Sequence, residues 1–176
     1  MPIRRRARST ATSWSDEDHR LLRAALAKLD PWSFWTVALE PGRGADYAVV
    51  GTTGGFAIAI CGLEGYLEPE GDRLRIGSAE VAGFSDVKRA AKAVKGSLSD
   101  ATAFTDVEPM ICLTRAAAGV SRTVRGIRVV RLDDLHLEIS SRERSLDMTT
   151  ARRGAEALGP VISAVPRARS EDDEEP

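Results

Sequence analysis

The stretch of the chain that most limits its fold is residues 44–62, GADYAVVGTTGGFAIAICG. Two apolar runs, Tyr47 to Val50 and Phe56 to Cys61, flank a short segment of glycine and threonine. Apolar and β-branched runs bounded by such turn residues predict a β-hairpin that is buried in a sheet. Asp46, directly before the first run, is the one charged residue of the stretch. The pattern therefore predicts a buried antiparallel strand pair with a single carboxylate at its edge.

The segments around this hairpin predict further helices and strands. Ser15 and the three acidic residues after it predict a helix start, because serine caps the first turn and the helix dipole favours anions there. Ser85 is expected to cap a second helix. The remaining elements are a strand in 33–40, a loop or β-excursion over 63–78, buried strands at 110–113 and 127–130, a helical turn at 133–139, and a last helix over 150–165. This order predicts an α/β fold, with a mixed central β-sheet flanked by helices.

Length and charge indicate the class of protein. The 176 residues predict a single α/β domain over 15–165, with a disordered basic arm at 1–14 and a disordered acidic tail at 166–176. A net charge of −1 gives the molecule no overall attraction to nucleic acid or to membranes. No apolar run approaches the roughly 18 residues of a membrane span, and no apolar stretch of a secretory signal follows the basic residues. We therefore expect a cytoplasmic protein without a membrane partner.

The hairpin and the element order resemble the nuclease-related domain family (NERD) of the restriction-endonuclease-like superfamily. In that family an acidic residue precedes the first strand of the hairpin, and the second strand carries a glutamate and a lysine two residues apart. This chain has the first half of the motif as DYAVVG at 46–51, and it keeps the frame of the second strand as FAIAIC at 56–61. The resemblance covers roughly residues 15–140. It implies a restriction-endonuclease-like fold and Mg²⁺-dependent cleavage of phosphodiesters.

Two residues of the implied active site are replaced in this chain. The positions of the glutamate and the lysine are Ala59 and Cys61, which point to the same face because side chains alternate along a strand. Mg²⁺ prefers oxygen ligands, which Ala59 lacks, and the soft sulfur of Cys61 replaces neither a carboxylate nor an ammonium group. Asp46 alone is too poor a site for the metal. The sequence therefore predicts a degenerate nuclease domain with Asp46 as its catalytic remnant, without a cofactor and without nuclease activity.

An active nuclease is the alternative if the missing ligands have migrated. The candidate acids are Glu17 of the first helix, Glu40 before the hairpin and Glu64 after it. Lys88 of the second helix is the candidate replacement for the lysine. The site would then hold Mg²⁺ through Asp46 and act as a metal-dependent phosphodiesterase. An unrelated soluble α/β interaction domain is a further alternative.

Four basic residues of the second predicted helix are the candidates for nucleic-acid binding: Lys88, Arg89, Lys92 and Lys95. Cations on one helix face give a salt-dependent affinity for phosphates that does not depend on the nucleotide sequence. The same pattern is also typical of the solvated face of an amphipathic helix. We therefore predict a binding module whose partner is a nucleic acid or a protein.

Overall fold

The computed structural model describes residues 14–71, 73–102, 106–117 and 121–162. The predicted basic arm at 1–14 and acidic tail at 166–176 lie outside these ranges, except for Trp14, which is partly buried against the core. The described helices are α1 (Asp16–Leu26), α2 (Phe84–Ala101), α3 (Leu135–Ser140) and α4 (Met148–Leu158), with a 3-10 turn at Leu132–Asp134. The described strands are β1 (Phe34–Ala38), β2 (Tyr47–Gly51), β3 (Gly54–Cys61), β4 (Gly65–Glu70), β5 (Arg73–Ile76), β6 (Ala79–Glu80), β7 (Val107–Leu113), β8 (Ala116–Ala117), β9 (Arg122–Val124) and β10 (Ile127–Arg131). None of the described helices is long and apolar enough to cross a membrane.

The central sheet has six strands in the order β1-β2-β3-β7-β10-β9. The strands β1, β2 and β3 pair antiparallel, which confirms the predicted hairpin. The strands β3, β7 and β10 run parallel, and β9 closes the edge antiparallel to β10. The helix α2 lies between β3 and β7 in the chain and provides the long crossover that parallel neighbours require. The predicted mixed sheet is therefore confirmed.

Helices cover both faces of this sheet. On one face, side chains such as Ala57 and Ile111 pack against α2 and α4, together with the second sheet. On the other face, the alternate side chains, such as Phe56 and Met110, pack against α1 and α3. Because side chains alternate along each strand, the two apolar clusters lie on opposite sides of one layer. The predicted flanking of the sheet by helices is confirmed.

A second, smaller sheet follows the hairpin, with the strand order β6-β5-β4-β8. It forms from the segment predicted as a loop or a β-excursion, because Leu74 and Ile76 are buried in the core on the α2 side. The strand β8 follows β7 closely in the chain and pairs parallel with β4. The second sheet is thereby attached to the carboxyl end of β7.

The sequence predicts the N-cap of α1 correctly but not the N-cap of α2. Ser15 caps α1 as predicted, and it forms a reciprocal capping box with Asp18. Ser85 does not cap α2, which begins at Phe84 after Gly83. The prediction was wrong because Gly83 has a φ of 88°, a left-handed conformation that glycine adopts without steric cost.

The last helix is also shorter than predicted. The helix α4 ends at Leu158, directly before Gly159 and Pro160. A proline disfavours the helical conformation of the residue before it, and Gly159 has a φ of 148°. The interruption that was expected within a longer helix is therefore its end.

Candidate functional site

Asp46 lies at the edge of β3 where the resemblance places the remnant acid. It directly precedes β2, and the register that pairs Tyr47 with Ile58 brings it to the carboxyl end of β3. Its Oδ2 accepts a hydrogen bond from the backbone N–H of Ile60 at 2.7 Å. Its own N–H donates to the carbonyl of Ile58 at 2.8 Å. The carboxylate therefore links the start of β2 to β3 by a hydrogen bond that it accepts from the backbone of β3.

The charge on Asp46 is unfavourable for the fold. Burial raises the pKa of the Asp46 carboxyl above its ordinary value, although the N–H of Ile60 and the charge of His19 act in the opposite direction. A carboxyl whose pKa is raised in the folded state adds stability below the unfolded pKa, and this stability is lost as the pH rises through the folded pKa. The ionised carboxylate of Asp46 therefore lowers the stability of the folded protein at neutral pH.

We expect Asp46→Asn to raise the melting temperature at neutral pH. The amide oxygen of asparagine can still accept the bond from Ile60, while the buried charge is removed. The gain should shrink towards about pH 3, where the aspartate is largely protonated in both the folded and the unfolded chain. Thermal melts at the two pH values measure this difference. Asp147→Asn is a control with no expected gain, because hydrogen bonds from Thr150 lower the pKa of Asp147. A lower melting temperature for Asp46→Asn at neutral pH would contradict the expectation.

The acid that reaches the end of β3 from α1 is Asp18 rather than Glu17. Its side chain is buried, with 3% of the residue exposed. Its Oδ1 accepts hydrogen bonds from Thr114 Oγ1 and from Arg115 Nε, both at 2.8 Å. Burial opposes the charge, but the hydrogen bonds from Ser15, Thr114 and Arg115 together lower the pKa of Asp18 below its ordinary value. Asp18 is therefore an ionised carboxylate whose oxygens are already engaged by the protein.

Arg115 is the cation of this cluster. Beside its bond to Asp18, its Nη2 donates to Ser15 Oγ at 3.1 Å. The pKa of Arg115 is raised, first by Asp18 and further by the charges of Glu64 and Glu17. Two of the acids that were predicted as migrated partners of Asp46 thus lie close enough to act on a guanidinium group. The guanidinium group of Arg115 therefore lies near the three acids Asp18, Glu17 and Glu64.

The other predicted partners of Asp46 are engaged elsewhere. Glu17 forms a two-bond ion pair with the arginine three residues later in α1, at 2.7 and 2.6 Å. Lys88 Nζ lies against the turn between β9 and β10, where a Cβ on Gly126 would be 3.6 Å away. Among the described residues, Lys88 forms no ion pair with Asp46, and Asp46, Glu17 and Glu64 do not converge as a group of acids that could hold a metal. The structure therefore does not bring these four residues together as one site.

The donors at the end of β3 do not fit Mg²⁺. Ala59 has no oxygen in its side chain, and Cys61 is buried, which raises the pKa of its thiol and disfavours the thiolate. The carboxylate of Asp18 is bonded to Thr114 and Arg115, and a metal ion would have to displace the guanidinium. In the part of the chain that the structure describes, no group of three or more histidine, cysteine or acidic side chains is placed to hold a metal.

A cavity of about 360 Å³ opens beside Arg115, at the carboxyl ends of β7 and β10. Ligands of open α/β sheets commonly bind outside the carboxyl ends of the strands, and this volume is at the low end for ligand pockets. Its polar lining includes Thr114, Arg131 and Asp133. Arg131 lies 3.4 Å from Asp133, and Arg115 is paired with Asp18, so that the charges are balanced locally. The lining therefore does not select an anion over a cation.

The helix α2 presents its predicted basic residues to solvent. Lys88, Arg89, Lys92 and Lys95 are all exposed, while the opposite side of the helix packs into the core. Arg89 donates to Asp86 at 2.8 Å and is partly neutralised. No described carboxylate forms an ion pair with the other three residues. Lys88, Lys92 and Lys95 follow the i, i+4, i+7 spacing of one helix face, and we call them the lysine stripe.

Sequence reasoning missed the cluster of Asp18, Thr114 and Arg115. Two signals pointed to it. Asp18 occupies the third helical position after Ser15, which is typical of a capping box. Thr114 and Arg115 directly follow a buried parallel strand, and the carboxyl ends of such strands meet at one edge of a sheet.

Comparison of the chain with models of protein families, with curated proteins and with solved structures gives no match in any of the three.

Proposed function

We propose that this protein is a catalytically inactive, nuclease-related α/β module that binds nucleic acid through α2. The observation that carries the proposal is the lysine stripe, whose three ammonium groups have no carboxylate partner among the described residues. Such a row of cations releases counterions from a phosphate backbone when it binds. This affinity does not require a positive net charge of the whole molecule, because it acts over a local surface.

The chemistry at the end of β3 supports binding without cleavage. Hydrolysis assisted by a metal needs oxygen ligands that hold the ion and a bound water of lowered pKa. Here Ala59 and Cys61 stand at the positions of the motif glutamate and lysine. Arg115 already neutralises Asp18, which is the α1 acid at this edge. The resemblance to a nuclease frame thus goes with an edge at which Asp18 and Arg115 neutralise each other.

The binding proposal predicts a salt-dependent affinity that the lysine stripe supplies. We expect the wild-type protein to bind a fluorescent oligonucleotide with a slope of log association constant against log salt of about −2 to −3 for three phosphate contacts. The triple variant Lys88→Ala, Lys92→Ala, Lys95→Ala should bind at least about tenfold more weakly in low salt and lose most of this slope. Fluorescence anisotropy titrations at several salt concentrations measure both quantities on single-stranded and double-stranded DNA and RNA.

A control with the same loss of charge lies on the opposite face of the sheet. Arg20, Arg23 and Lys28 are exposed residues in or directly after α1. Their replacement by alanine should leave the affinity and the slope within about twofold of the wild type, because only the local cations contact the phosphates. Equal weakening by both triple variants would contradict a specific role of α2. Absence of binding by the wild-type protein would favour a protein partner over a nucleic acid.

A cleavage assay distinguishes this proposal from an active nuclease. The protein is incubated with the same oligonucleotides and with Mg²⁺ or Mn²⁺, and Asp46→Ala serves as the control. We expect no products from either protein. Metal-dependent cleavage by the wild type that Asp46→Ala abolishes would overturn the inactive assignment, and the migrated ligands would then have to include Asp46.

A further inference from the structure

Among the described residues, Arg122 of β9 is the one half-buried arginine without a carboxylate partner. Its Nε is shielded from solvent and has no hydrogen-bond partner. The other four described arginines that are half-buried each form an ion pair: Arg75 with Glu70, Arg128 with Glu138, Arg131 with Asp133 and Arg142 with Glu108. A shielded guanidinium without a counter-ion is unfavourable. Such a side chain is suited to bind an anion that comes from solution.

The pairing of β9 places Arg122 on the side of the sheet that α2 covers. Arg122 lies directly opposite Val129 of β10. Residues that are directly opposite in an antiparallel pair point to the same face of the sheet. Val129 belongs to the apolar cluster that contains the buried side of α2, and Val124, two residues after Arg122, packs against the same cluster. Arg122 and the lysine stripe therefore lie on one side of the sheet.

The hairpin of β9 and β10 also lies next to the first lysine of the stripe. The Nζ of Lys88 is 3.6 Å from the position that a Cβ on Gly126 would occupy. Gly126 is four residues after Arg122, which corresponds to at most about 14 Å of backbone. One strand of duplex DNA carries a phosphate about every 3.4 Å along the helix axis. A strand that contacts Lys88 therefore has further phosphates within this distance.

We propose that Arg122 binds a phosphate of the same nucleic-acid partner, beside the lysine stripe. This inference rests on the proposed function, because it assigns a further contact to the partner that α2 binds. The planar guanidinium can donate two parallel hydrogen bonds to a phosphate, which an ammonium group cannot do. The phosphate supplies the negative charge that the described carboxylates give to the other half-buried arginines but not to Arg122.

The decisive variant is Arg122→Met, because it separates binding from stability. Methionine fills a similar space without an unpaired charge, so the melting temperature of the free protein should not fall. The affinity for the fluorescent oligonucleotide in low salt should fall by about fivefold, and the salt slope should become shallower by about 0.7 to 0.9 through the loss of one contact. Arg122→Lys keeps the charge but not the two-bond geometry, and its affinity should lie between those of the wild type and Arg122→Met.

Arg23→Met is the control for the loss of one charge on the opposite side of the sheet. Arg23 is an exposed residue of α1, and the affinity of this variant should stay within about twofold of the wild type. Anisotropy titrations at several salt concentrations and thermal melts of the four proteins measure these quantities. A parallel melt with inorganic phosphate tests whether Arg122 binds a free anion instead of a strand.

The outcomes separate this inference from the proposed function. If Arg122→Met binds the oligonucleotide as the wild type does while Lys92→Ala binds more weakly, the inference fails alone. The same holds if inorganic phosphate stabilises the wild type but not Arg122→Met and the affinity for the oligonucleotide is unchanged. If Arg122→Met loses both stability and affinity, the arginine is structural and the inference is overturned. If the wild type binds no nucleic acid, the proposed function fails together with the inference. Weakened binding by a stable Arg122→Met, with normal binding by Arg23→Met, supports the inference.

Discussion

Replacing Asp18 by asparagine should lower the free energy of unfolding by about 3 kcal/mol at neutral pH. The carboxylate is 3% exposed and accepts bonds from Thr114 and Arg115 at 2.8 Å, as well as from the backbone N–H and hydroxyl of Ser15. Asparagine has nearly the same shape but no negative charge. Its NH2 group would also face N–H or O–H groups that now donate to the carboxylate, and two donors cannot form a hydrogen bond. It also leaves a guanidinium without its counter-ion at the end of β3. Chemical denaturation of both proteins measures the difference.

The pH dependence of this loss follows from the lowered pKa of Asp18. A carboxyl with a lowered folded pKa contributes stability above its unfolded pKa, and this contribution is lost as the pH falls through the folded pKa. The difference in the free energy of unfolding between the wild type and Asp18→Asn should therefore be largest at neutral pH and become smaller in acid. Asp16→Asn, at an exposed position in the same first turn, is the control with a small expected effect. Equal stability of wild type and Asp18→Asn at neutral pH would mean that the cluster contributes nothing to the fold.

Local patterns in the sequence were sufficient to predict most of the fold. The hairpin of β2 and β3 follows from two apolar runs around a glycine turn, and the start of α1 follows from the cap by Ser15. Both depend on interactions between residues that are close in sequence. The start of α2 was mispredicted, because the helix begins after Gly83 in a left-handed conformation and no side chain caps it.

The candidate site could be predicted only in part, because its contacts are long-range. The predicted hairpin brings Asp46 to the end of β3, since the two belong to neighbouring paired strands. The pairing of Asp18 with Arg115 joins residues 97 positions apart in the chain. No periodicity or spacing specifies which of several acids meets which arginine across such a distance. For the same reason Lys88, predicted as a partner of Asp46, lies against the β9–β10 turn.

Gly62 illustrates how closely this edge is packed. A Cβ added at this position would lie 2.8 Å from a carboxylate oxygen of Asp18, closer than a Cβ approaches a neighbouring heavy atom. The residue that follows the second strand of the motif therefore has to remain small for the α1 acid to reach Thr114. The ion-paired cluster and the end of the hairpin are mutually dependent parts of one packed edge.

The burial of Cys61 makes a lysine at this position costly. The resemblance implies a lysine at this position, with its ammonium in a site that is open to water and substrate. In this protein Cys61 is 4% exposed and belongs to the apolar cluster that also contains α2 and the second sheet. A lysine placed there would have to bury its charge or lose its proton, and it would also overpack the cluster.

Cys61→Lys should therefore lower the free energy of unfolding by about 3 kcal/mol or more. Cys61→Met is the matched control, because methionine is also long and unbranched but carries no charge, and it should cost less than the lysine. The double variant Ala59→Glu, Cys61→Lys, which introduces the two motif residues, should be at least as unstable and should not cleave DNA or RNA with Mg²⁺. Denaturation of the three variants and a cleavage assay of the double variant measure these effects. If Cys61→Lys is as stable as the wild type and the double variant cleaves, the position is open to solvent and only two substitutions separate this fold from a working nuclease.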